Sequence, residues 1–252
     1  MITENSKPQK RGRPPGRTSE GETMRRRLYE AAISLIGQRG YEGATLREVA
    51  VQVGVSPALL YRYFPSKRAV VLALYDELSV AFAREAEAMP EGRWRDRFLY
   101  ALELSLQVLG PHRTSLRALT PTMVGDADEG IFAQTTAFSR QRVQGVFEAA
   151  MTGAKDAPKP AVAEALGRLL YLGHLGVILW WLLDRSPGQR ATRGLVELLR
   201  QILPSAALAL RLPLVRRFVE SANSLFQDAL LANPGEADPR PSSTIVPSHP
   251  AI

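Results

Sequence analysis

The most constraining feature of the sequence is a segment in which two short helices are separated by a glycine turn. Thr45 is a favourable N-cap for a helix that runs to about Val53, and Gly54 then interrupts the helical pattern. Ser56 and Pro57 fit the N-cap and first position of another helix, where the missing proline N–H leaves no hydrogen bond unmade. Two short helices in this arrangement predict a helix-turn-helix unit.

A supporting helix precedes this unit, and a proline directly after the third helix defines the end of that helix. Apolar residues recur at helical spacing from near Thr23, and Gly40 is the predicted end of that helix. Leu60 and Phe64 are four residues apart and are predicted to face inward on the third helix. That helix should end at Phe64, because Pro65 disfavours the α conformation of the residue before it.

The remainder of the chain also shows helical periodicity, and no segment alternates in the manner of a strand. The sequence therefore predicts an all-α protein, with an N-terminal three-helix unit followed by a helical bundle. Pro204 is predicted to kink or split the helix that contains it. Further helices are predicted near residues 66–89, 92–109, 111–119, 127–151, 160–185, 188–211 and 213–232.

Charge is distributed unevenly along the 252 residues, whose formal net charge is +7. Residues 1–70 hold 13 Lys and Arg against 6 Asp and Glu, whereas residues 71–252 hold 19 of each. This asymmetry favours a polyanionic partner for the N-terminal quarter, and a solvated basic tail is the alternative. The chain has no Cys, which excludes disulfides and thiolate chemistry, and no apolar leader follows Met1.

Three consecutive motifs carry a specific resemblance. They are GYEGAT at residues 40–45, VAVQVGVS at residues 49–56 and LYRYFPSK at residues 60–67. In this order and register they resemble the DNA-binding domain of the TetR family, over about residues 23–82. The resemblance implies a homodimer that binds a palindromic operator, acts as a repressor in the cytoplasm at the nucleoid, and is released by a small-molecule effector.

The resemblance also implies the division of the chain and the roles of individual residues. We expect a disordered basic arm (1–21), a helix-turn-helix domain (22–82), an effector-binding and dimerisation domain (83–232) and a disordered Pro/Ser-rich tail (233–252). Leu59 departs from the family's commonest pattern, as does Tyr63, which puts direct base reading at Leu59 in doubt. The predicted DNA-contacting residues are Thr45, Arg47, Ser56, Pro57, Ala58, Tyr61, Arg62, Tyr63 and Lys67.

A short basic motif lies in the predicted arm. Lys10, Arg11, Gly12, Arg13 and Arg17 surround a core that resembles an AT-hook, in which arginines enter a narrow A·T minor groove. The alternative is an arm that makes loose phosphate contacts. Either role adds affinity and salt dependence to DNA binding.

The most apolar stretch of the chain is residues 169–183, which is apolar on almost every side and must be buried on more than one face. A membrane span is the competing interpretation, but the run is shorter than the ~20 residues that a bilayer requires. We therefore expect no membrane association. By family analogy, this helix and the next form the dimer interface, with candidate residues Gly173, Gly176, Trp180, Leu195 and Leu199.

The predicted effector is a small hydrophobic or aromatic molecule, because the second domain is rich in aliphatic residues. The three His are dispersed, so no metal site and no cofactor are expected, and His174 fits a hydrogen-bonded core residue better than a ligand. Ordinary core packing is the alternative role for each residue that could line the pocket. The candidates are Phe98, Leu102, Leu116, Phe138, His174 and Trp181.

Two other classes of function are weighed against a regulator. An enzyme is disfavoured, because no nucleophile-base set, metal-ligand spacing or phosphate-binding glycine loop is present. A non-specific architectural DNA-binding protein explains the basic N-terminal region but not the large, charge-neutral apolar remainder. Among regulators, an activator stays open beside the repressor.

Overall fold

The computed structural model describes residues 19–126 and 128–230 of the chain. Within these residues there are ten α-helices, three short 3-10 turns and no strand, which confirms the all-α prediction. We call α1–α4 the head and α5–α10 the bundle. The helices are α1 (Ser19–Gly43), α2 (Leu46–Val53), α3 (Pro57–Tyr63), α4 (Lys67–Ala86), α5 (Trp94–Leu109), α6 (Arg113–Gly125), α7 (Ala137–Thr152), α8 (Pro160–Leu183), α9 (Arg190–Ala209) and α10 (Pro213–Leu230).

The boundaries of α2 and α3 and the start of α4 lie where the sequence predicts them. Gly40 has φ 78° inside the α1 segment, and Gly54 has φ 76° after α2, so both occupy the left-handed region that favours glycine. The Ser66 hydroxyl accepts a hydrogen bond from the Ala69 amide at 3.1 Å and starts α4. The last helix of the head ends at Ala86, three residues before the predicted end.

Two groups of buried apolar side chains hold the structure together, and α4 contributes to both. The first lies in the head around Phe64 and continues into the bundle through Leu119 of α6 and Leu182 of α8. The second lies inside the bundle around Phe147, and Phe82 of α4 packs into it. Head and bundle therefore share packed side chains, so a movement of α4 affects both.

The predicted break at residues 120–125 is wrong, because α6 continues through Pro121 to Gly125. This helix packs along α1, where the Ser115 hydroxyl donates to the Ile33 carbonyl at 3.0 Å and Leu119 is fully buried. Pro121 removes one helical hydrogen bond near the C-terminal end, which costs less than losing this packing. Tertiary contacts override the local proline signal.

The predicted start of α7 is also wrong, since the helix begins at Ala137 rather than near residue 127. In the turns before α7, a side chain rather than a helix satisfies the backbone carbonyls. The Thr136 hydroxyl donates to the Gly130 carbonyl at 2.7 Å and to the Ala133 carbonyl at 2.9 Å. Pro204, where a kink or split was predicted, lies inside α9, which remains one helix.

The central helix α8 packs against α6, α7, α9 and α10. Among the described residues it is long and apolar enough to cross a membrane by length and composition, with a mean hydropathy of 1.5 and 44% of its most apolar stretch buried. The helices α9 and α10 pass the same test together, but they are bent by 112°. The central helix of a soluble bundle also meets these criteria, so they do not identify a membrane protein.

Candidate nucleic-acid interface

A reciprocal cap fixes the start of α2. The Thr45 hydroxyl oxygen accepts from the Glu48 amide at 3.3 Å, and a Glu48 carboxylate oxygen accepts from the Thr45 amide at 3.2 Å. The same carboxylate accepts the Thr45 hydroxyl proton at 2.8 Å and pairs with Arg39 at 2.5 Å. The hydrogen bond from Thr45 is the main reason why the pKa of Glu48 lies below its usual range. A phosphate contact from Thr45 would have to compete with this cap.

The recognition helix α3 turns one face inward and the other to solvent. Leu60 and Phe64 are 1% and 2% exposed, as predicted, and they pack into the apolar group of the head. Ala58, Tyr61 and Arg62 are exposed, and their spacing of three and four residues places them on one side of the helix. This outward side combines a small residue, a phenol and a guanidinium, which can approach and donate to a DNA groove.

The first turn of α3 is exposed as well. The Ser56 hydroxyl accepts from the Leu59 amide at 3.2 Å, which starts the helix and uses the hydroxyl as an acceptor. Pro57 is exposed, whereas Leu59 is half-buried. Tyr63 is half-buried and packs against the apolar group of the head, so only part of its ring is available to a partner.

The exposed side of α2 contains one residue that the sequence analysis missed. Arg47 is exposed, as a contact residue must be, and Val51 lies one turn later on the same side with 79% of its surface accessible. The signal for Val51 is its i+4 spacing from Arg47, opposite the buried Val49 and Ala50. An exposed valine at an interface can pack against a thymine methyl group.

Lys67 has an internal role that the sequence analysis did not predict. Its ammonium group donates to the Tyr41 carbonyl at 2.7 Å and lies 4.5 Å from the centre of the Tyr41 ring. It therefore joins the start of α4 to the last residues of α1, which follow Gly40. An ammonium group has three donors, so a phosphate contact remains compatible with this bond.

The predicted arm residues Lys10, Arg11, Gly12, Arg13 and Arg17 lie outside the described residues. So do the predicted tail at 233–252 and the last two residues of the predicted helix at 213–232.

The family is identified by this head. Residues 28–74 match the model of the bacterial regulatory proteins of the tetR family, a stretch that covers α2 and α3 and parts of α1 and α4. This domain belongs to the TetR family. The match confirms the predicted family and the predicted helix-turn-helix.

Curated relatives of this TetR-family domain are similar over about a fifth to a third of this chain. The transcriptional regulator BetI of Brucella canis is 43% identical over 70 residues, which is 27% of this chain and 35% of that protein. The chain thus matches about a third of the length of this curated relative.

Solved structures extend the likeness in fold to most of the chain. A tetR-family regulator from Streptomyces coelicolor superposes with a TM-score of 0.56 at 20% identity, over 81% of this chain and 89% of that one. FadR of Bacillus subtilis, solved in complex with stearoyl-CoA, superposes with a TM-score of 0.55 at 16% identity, over 70% of this chain and 97% of that one. The bundle therefore has the TetR-type fold.

The TetR-type bundle contains a cavity of ≈ 120 Å³, next to α4. Of the residues predicted to line a pocket, Leu116 and His174 lie on its wall. Phe98 and Leu102 are buried but do not line it, and Phe138 is 37% exposed. Trp181 is also buried elsewhere, where its indole N–H donates to the Gln189 side chain at 2.6 Å.

The sequence analysis missed the polar residues of the cavity wall, among them Tyr75, Ser105 and Arg140. The signal for Ser105 was its spacing: it follows Phe98 and Leu102 at helical intervals on the buried side of α5. A polar residue on an apolar helix face requires a partner or a ligand.

His174 is a deeply buried polar residue of this wall, with 3% of its surface exposed. Its Nε2 lies 2.7 Å from the Ser105 hydroxyl, and its ring centre lies 4.7 Å from that of Phe147. Burial lowers the pKa of His174 to about 3, so the imidazole is neutral at physiological pH. Its Nδ1 has no hydrogen-bond partner among the described residues.

The candidate dimer residues divide into two kinds. Gly173, Gly176 and Trp180 of α8 are exposed, whereas Leu195 and Leu199 of α9 are half-buried against their own chain. A methyl group at either glycine would meet no atom within 4 Å, so both positions are open to close approach. Two exposed α9 side chains were missed, Leu198 at 50% and Ile202 at 51%.

Two direct contacts join the cavity region to the head. The Tyr41 hydroxyl donates to the Glu129 carboxylate at 2.6 Å, and the Arg68 guanidinium donates to the Asp128 carbonyl at 3.1 Å. Both acceptors lie in the segment between α6 and α7, just before Ile131 on the cavity wall. A change at the wall can therefore reach the start of α4 and the residues ahead of α2.

Proposed function

We propose that this chain is a sequence-specific transcriptional regulator, which binds a palindromic operator as a homodimer and releases it when a small molecule occupies the bundle. A repressor is the default, because ligand-induced release then switches a gene on. The observation that carries the proposal is the TetR-family head, whose helix α3 holds Leu60 and Phe64 inside and presents Ala58, Tyr61 and Arg62 outward.

The proposed DNA contacts follow from exposure and chemistry. Arg47 can donate two hydrogen bonds to a guanine, and Val51 beside it can meet a thymine methyl group. Tyr61 and Arg62 supply donors for the backbone or for a base edge, and the small side chain of Ala58 allows α3 to enter the major groove. The remaining proposed contacts are Thr45, Ser56, Pro57, Tyr63 and Lys67, with Lys10, Arg11, Gly12, Arg13 and Arg17 of the arm.

A homodimer is proposed for two reasons. One seven-residue helix reads too few base pairs to specify an operator, whereas two helices one DNA turn apart read a palindrome. Large apolar side chains are exposed on both α8 and α9, with Trp180 and Leu183 at 50% and 54% and Leu198 and Ile202 at 50% and 51% exposed. Exposed apolar side chains grouped on neighbouring helices are typical of an interface.

The dimer is tested by placing a charge on this surface. Ile202→Glu should give a monomer in sedimentation equilibrium at concentrations where the wild type is a dimer, because an unpaired carboxylate would be buried. Gln201→Glu adds the same charge to the neighbouring exposed residue and is the matched control. A dimer that survives Ile202→Glu, or one that forms only in detergent, would contradict this interface.

We also propose a domain division near residue 82 in a cytoplasmic, nucleoid-associated protein. Its support is the change of packing along α4, where Leu78 belongs to the apolar group of the head and Phe82 to that of the bundle. Limited proteolysis should release a stable fragment that begins near the start of α1. Cleavage inside α5–α10 at the same rate would refute the division.

The proposed switch uses the position of the cavity beside α4. Tyr75, Leu78, Ser79 and Phe82 of this helix line the cavity, so an occupant contacts the helix that carries the head. A ligand shifts the equilibrium only if it binds more tightly to one position of α4 than to the other. In the position that releases DNA, the distance between the two recognition helices would no longer match the operator.

The function as a whole is tested by selection of DNA fragments. The full chain is incubated with fragments of its own genome, and the retained fragments are sequenced and then titrated individually at several salt concentrations. A regulator should retain a few sites with two half-sites about one DNA turn apart. Equal retention of all fragments would indicate an architectural protein, and no retention by a folded dimer would reject DNA binding. A reporter gene behind a selected site then distinguishes a repressor from an activator.

A further inference from the structure

The size of the cavity limits what it can hold. Its volume is ≈ 120 Å³, and its walls are formed by side chains of α4 to α8 with the turns before α7. An engineered apolar cavity of about 150 Å³ accommodates benzene, so this cavity has room for about one ring. The apolar wall residues include Leu78, Leu109, Leu116, Val143, Leu175 and Ile178.

The serine and threonine hydroxyl groups of the wall have partners among the described residues, whereas the buried Tyr75 hydroxyl has none there. Ser105 and His174 bond to each other at 2.7 Å, and Ser79 donates to a backbone carbonyl at 3.0 Å. Thr136 and Ser139 also donate to backbone carbonyls, at 2.7 and 2.9 Å. The paired groups are thus poor candidates for the one that orients a ligand, and the Tyr75 phenol is a neutral donor that carries no charge to attract one.

Arg140 is the one charged side chain among the described residues of the wall. Its Nη1 donates to the carbonyls of Ile131 and Ala133, each at 3.1 Å, while Nε and Nη2 have no hydrogen bond within the described part of the chain. No carboxylate among the described residues pairs with it, although Arg142, two residues later, pairs with Asp76 at 3.0 Å. Burial lowers the pKa of Arg140. A partly desolvated cation without a counterion is an attractive position for an anion.

We propose that the cavity binds a small monocarboxylate with a single apolar ring, whose carboxylate pairs with Nε and Nη2 of Arg140. These two nitrogens form one side of the guanidinium fork, which matches the two oxygens of a carboxylate. The ring then contacts the aliphatic wall beside α4. This inference rests on the proposed function, because it names the effector class of the proposed regulator.

A longer acyl chain is the competing occupant. An apolar groove of ≈ 250 Å³ adjoins the cavity and shares Met123, Ile131, Leu175 and Ile178 as wall residues. A long chain would need both spaces, whereas a one-ring acid needs the cavity alone. The two occupants therefore differ in the length of ligand that binds best.

The experiment is calorimetric titration of the full chain with benzoate, benzyl alcohol and octanoate. We expect benzoate to bind about tenfold to a hundredfold more tightly than benzyl alcohol, because it gains a charge-assisted pair. Arg140→Gln should remove this preference and keep the affinity for benzyl alcohol, which shows that the cavity is intact. Arg140→Lys keeps the charge but loses the two-nitrogen fork, so its preference for benzoate should lie between those of the wild type and Arg140→Gln. The control is Arg168→Gln, at an arginine that pairs with Glu148, and it should leave the preference unchanged.

Two results would overturn the inference directly. Benzyl alcohol that binds the wild type as tightly as benzoate would exclude the carboxylate, and octanoate that binds more tightly than benzoate would exclude the one-ring size. Failure of all three probes to bind would also reject this ligand class.

Affinity for a selected operator, measured on the same protein with and without benzoate, separates this inference from the proposed function. Benzoate should weaken operator binding by the wild type and not by Arg140→Gln. A protein that binds no operator at all refutes the regulator, whether or not benzoate occupies the cavity. A protein that binds its operator but not benzoate refutes the ligand class alone.

Discussion

The head and the bundle are both helical, but their helices are started in different ways. In the head, Thr45, Ser56 and Ser66 each accept a backbone amide with a side-chain hydroxyl at the start of α2, α3 and α4. In the bundle, the N-cap residues of α5 to α9 make no such hydrogen bond. The first turns of α5 and α9 instead donate amides to side chains elsewhere in the chain, Trp94 to Asp156 and Ala191 to Ser186. Polar caps define short helices locally, whereas uncapped helices depend on the side chains that they bury.

The difference teaches which region can rearrange. The capped helices of the head hold the outward side of α3 in a fixed orientation, as binding to a DNA groove requires. The bundle is stabilised by a group of packed aromatic rings. The ring centres of Phe82, Phe98, Tyr171 and His174 each lie within 6.5 Å of the ring centre of Phe147. Packing of this kind can adopt a second arrangement around an added ring. The predictions below test this contrast.

The largest expected effect is the loss of the central ring of the bundle. Phe147 is fully buried, so Phe147→Ala should lower the free energy of unfolding by about 3–5 kcal/mol. Phe138→Ala, at a ring that is 37% exposed in the same helix, should cost less than about 1 kcal/mol. Urea unfolding followed by circular dichroism measures both. Equal losses would mean that the aromatic group does not stabilise the bundle.

Acid should weaken the bundle through His174. Burial lowers its pKa to about 3 from an ordinary value of 6.5, so the folded ring stays neutral between these values while the unfolded chain takes up a proton. Stability therefore falls as the pH drops below 6.5, by about 2 kcal/mol between pH 7.5 and pH 5. Urea unfolding of wild type and His174→Gln at both pH values is the measurement. An equally steep loss in His174→Gln would contradict this cause, and His112→Gln is the control.

Removal of a cap should affect the head. Thr45→Ala should destabilise the protein by about 1 kcal/mol and speed hydrogen exchange in α2, because the Glu48 amide loses its acceptor. Thr45→Ser keeps a hydroxyl at the same position and should retain most of the stability. If Thr45→Ser loses as much as Thr45→Ala, the cap is not the source of the effect.

The smallest expected effect is at the contact between the two regions. Tyr41→Phe and Glu129→Gln each remove or weaken the 2.6 Å hydrogen bond, and a double-mutant cycle should give a coupling energy of about 0.5–1 kcal/mol. The same variants should alter how strongly benzoate weakens operator binding. A coupling energy of zero, together with an unchanged effect of benzoate on operator binding, would mean that this contact does not couple the two regions.

The same contrast explains what the sequence could predict. Most helix boundaries in the head are set by a residue whose effect is local: Gly40, Thr45, Gly54, Ser56 and Ser66 each act on their own turn. These signals can be recognised in the sequence without any knowledge of the fold. The prediction of α2 and α3 was therefore accurate to about one residue.

The bundle was predicted less well, because its boundaries depend on distant contacts. Pro121 indicates a break, yet α6 continues past it because Leu119 and Ser115 are held by α1. The cavity shows the same limit, since Tyr75 and Arg140 come from different helices and only the fold brings them together. For Lys67, the sequence analysis predicted only a contact with a phosphate. Its acceptor within the chain is a backbone carbonyl 26 residues away, and no local pattern in the sequence indicates that hydrogen bond.

The most direct test of the account is a competition titration at several salt concentrations, with a selected DNA fragment against an unrelated one. Wild type, Tyr61→Ala and Val80→Ala are compared, because Val80 is also 44% exposed but lies outside the outward side of α3. We expect Tyr61→Ala to bind the selected fragment about tenfold or more weakly with an unchanged unfolding free energy, and Val80→Ala to match the wild type. Equal affinity of the wild type for both fragments, or full affinity in Tyr61→Ala, would contradict the central claim that α3 reads an operator.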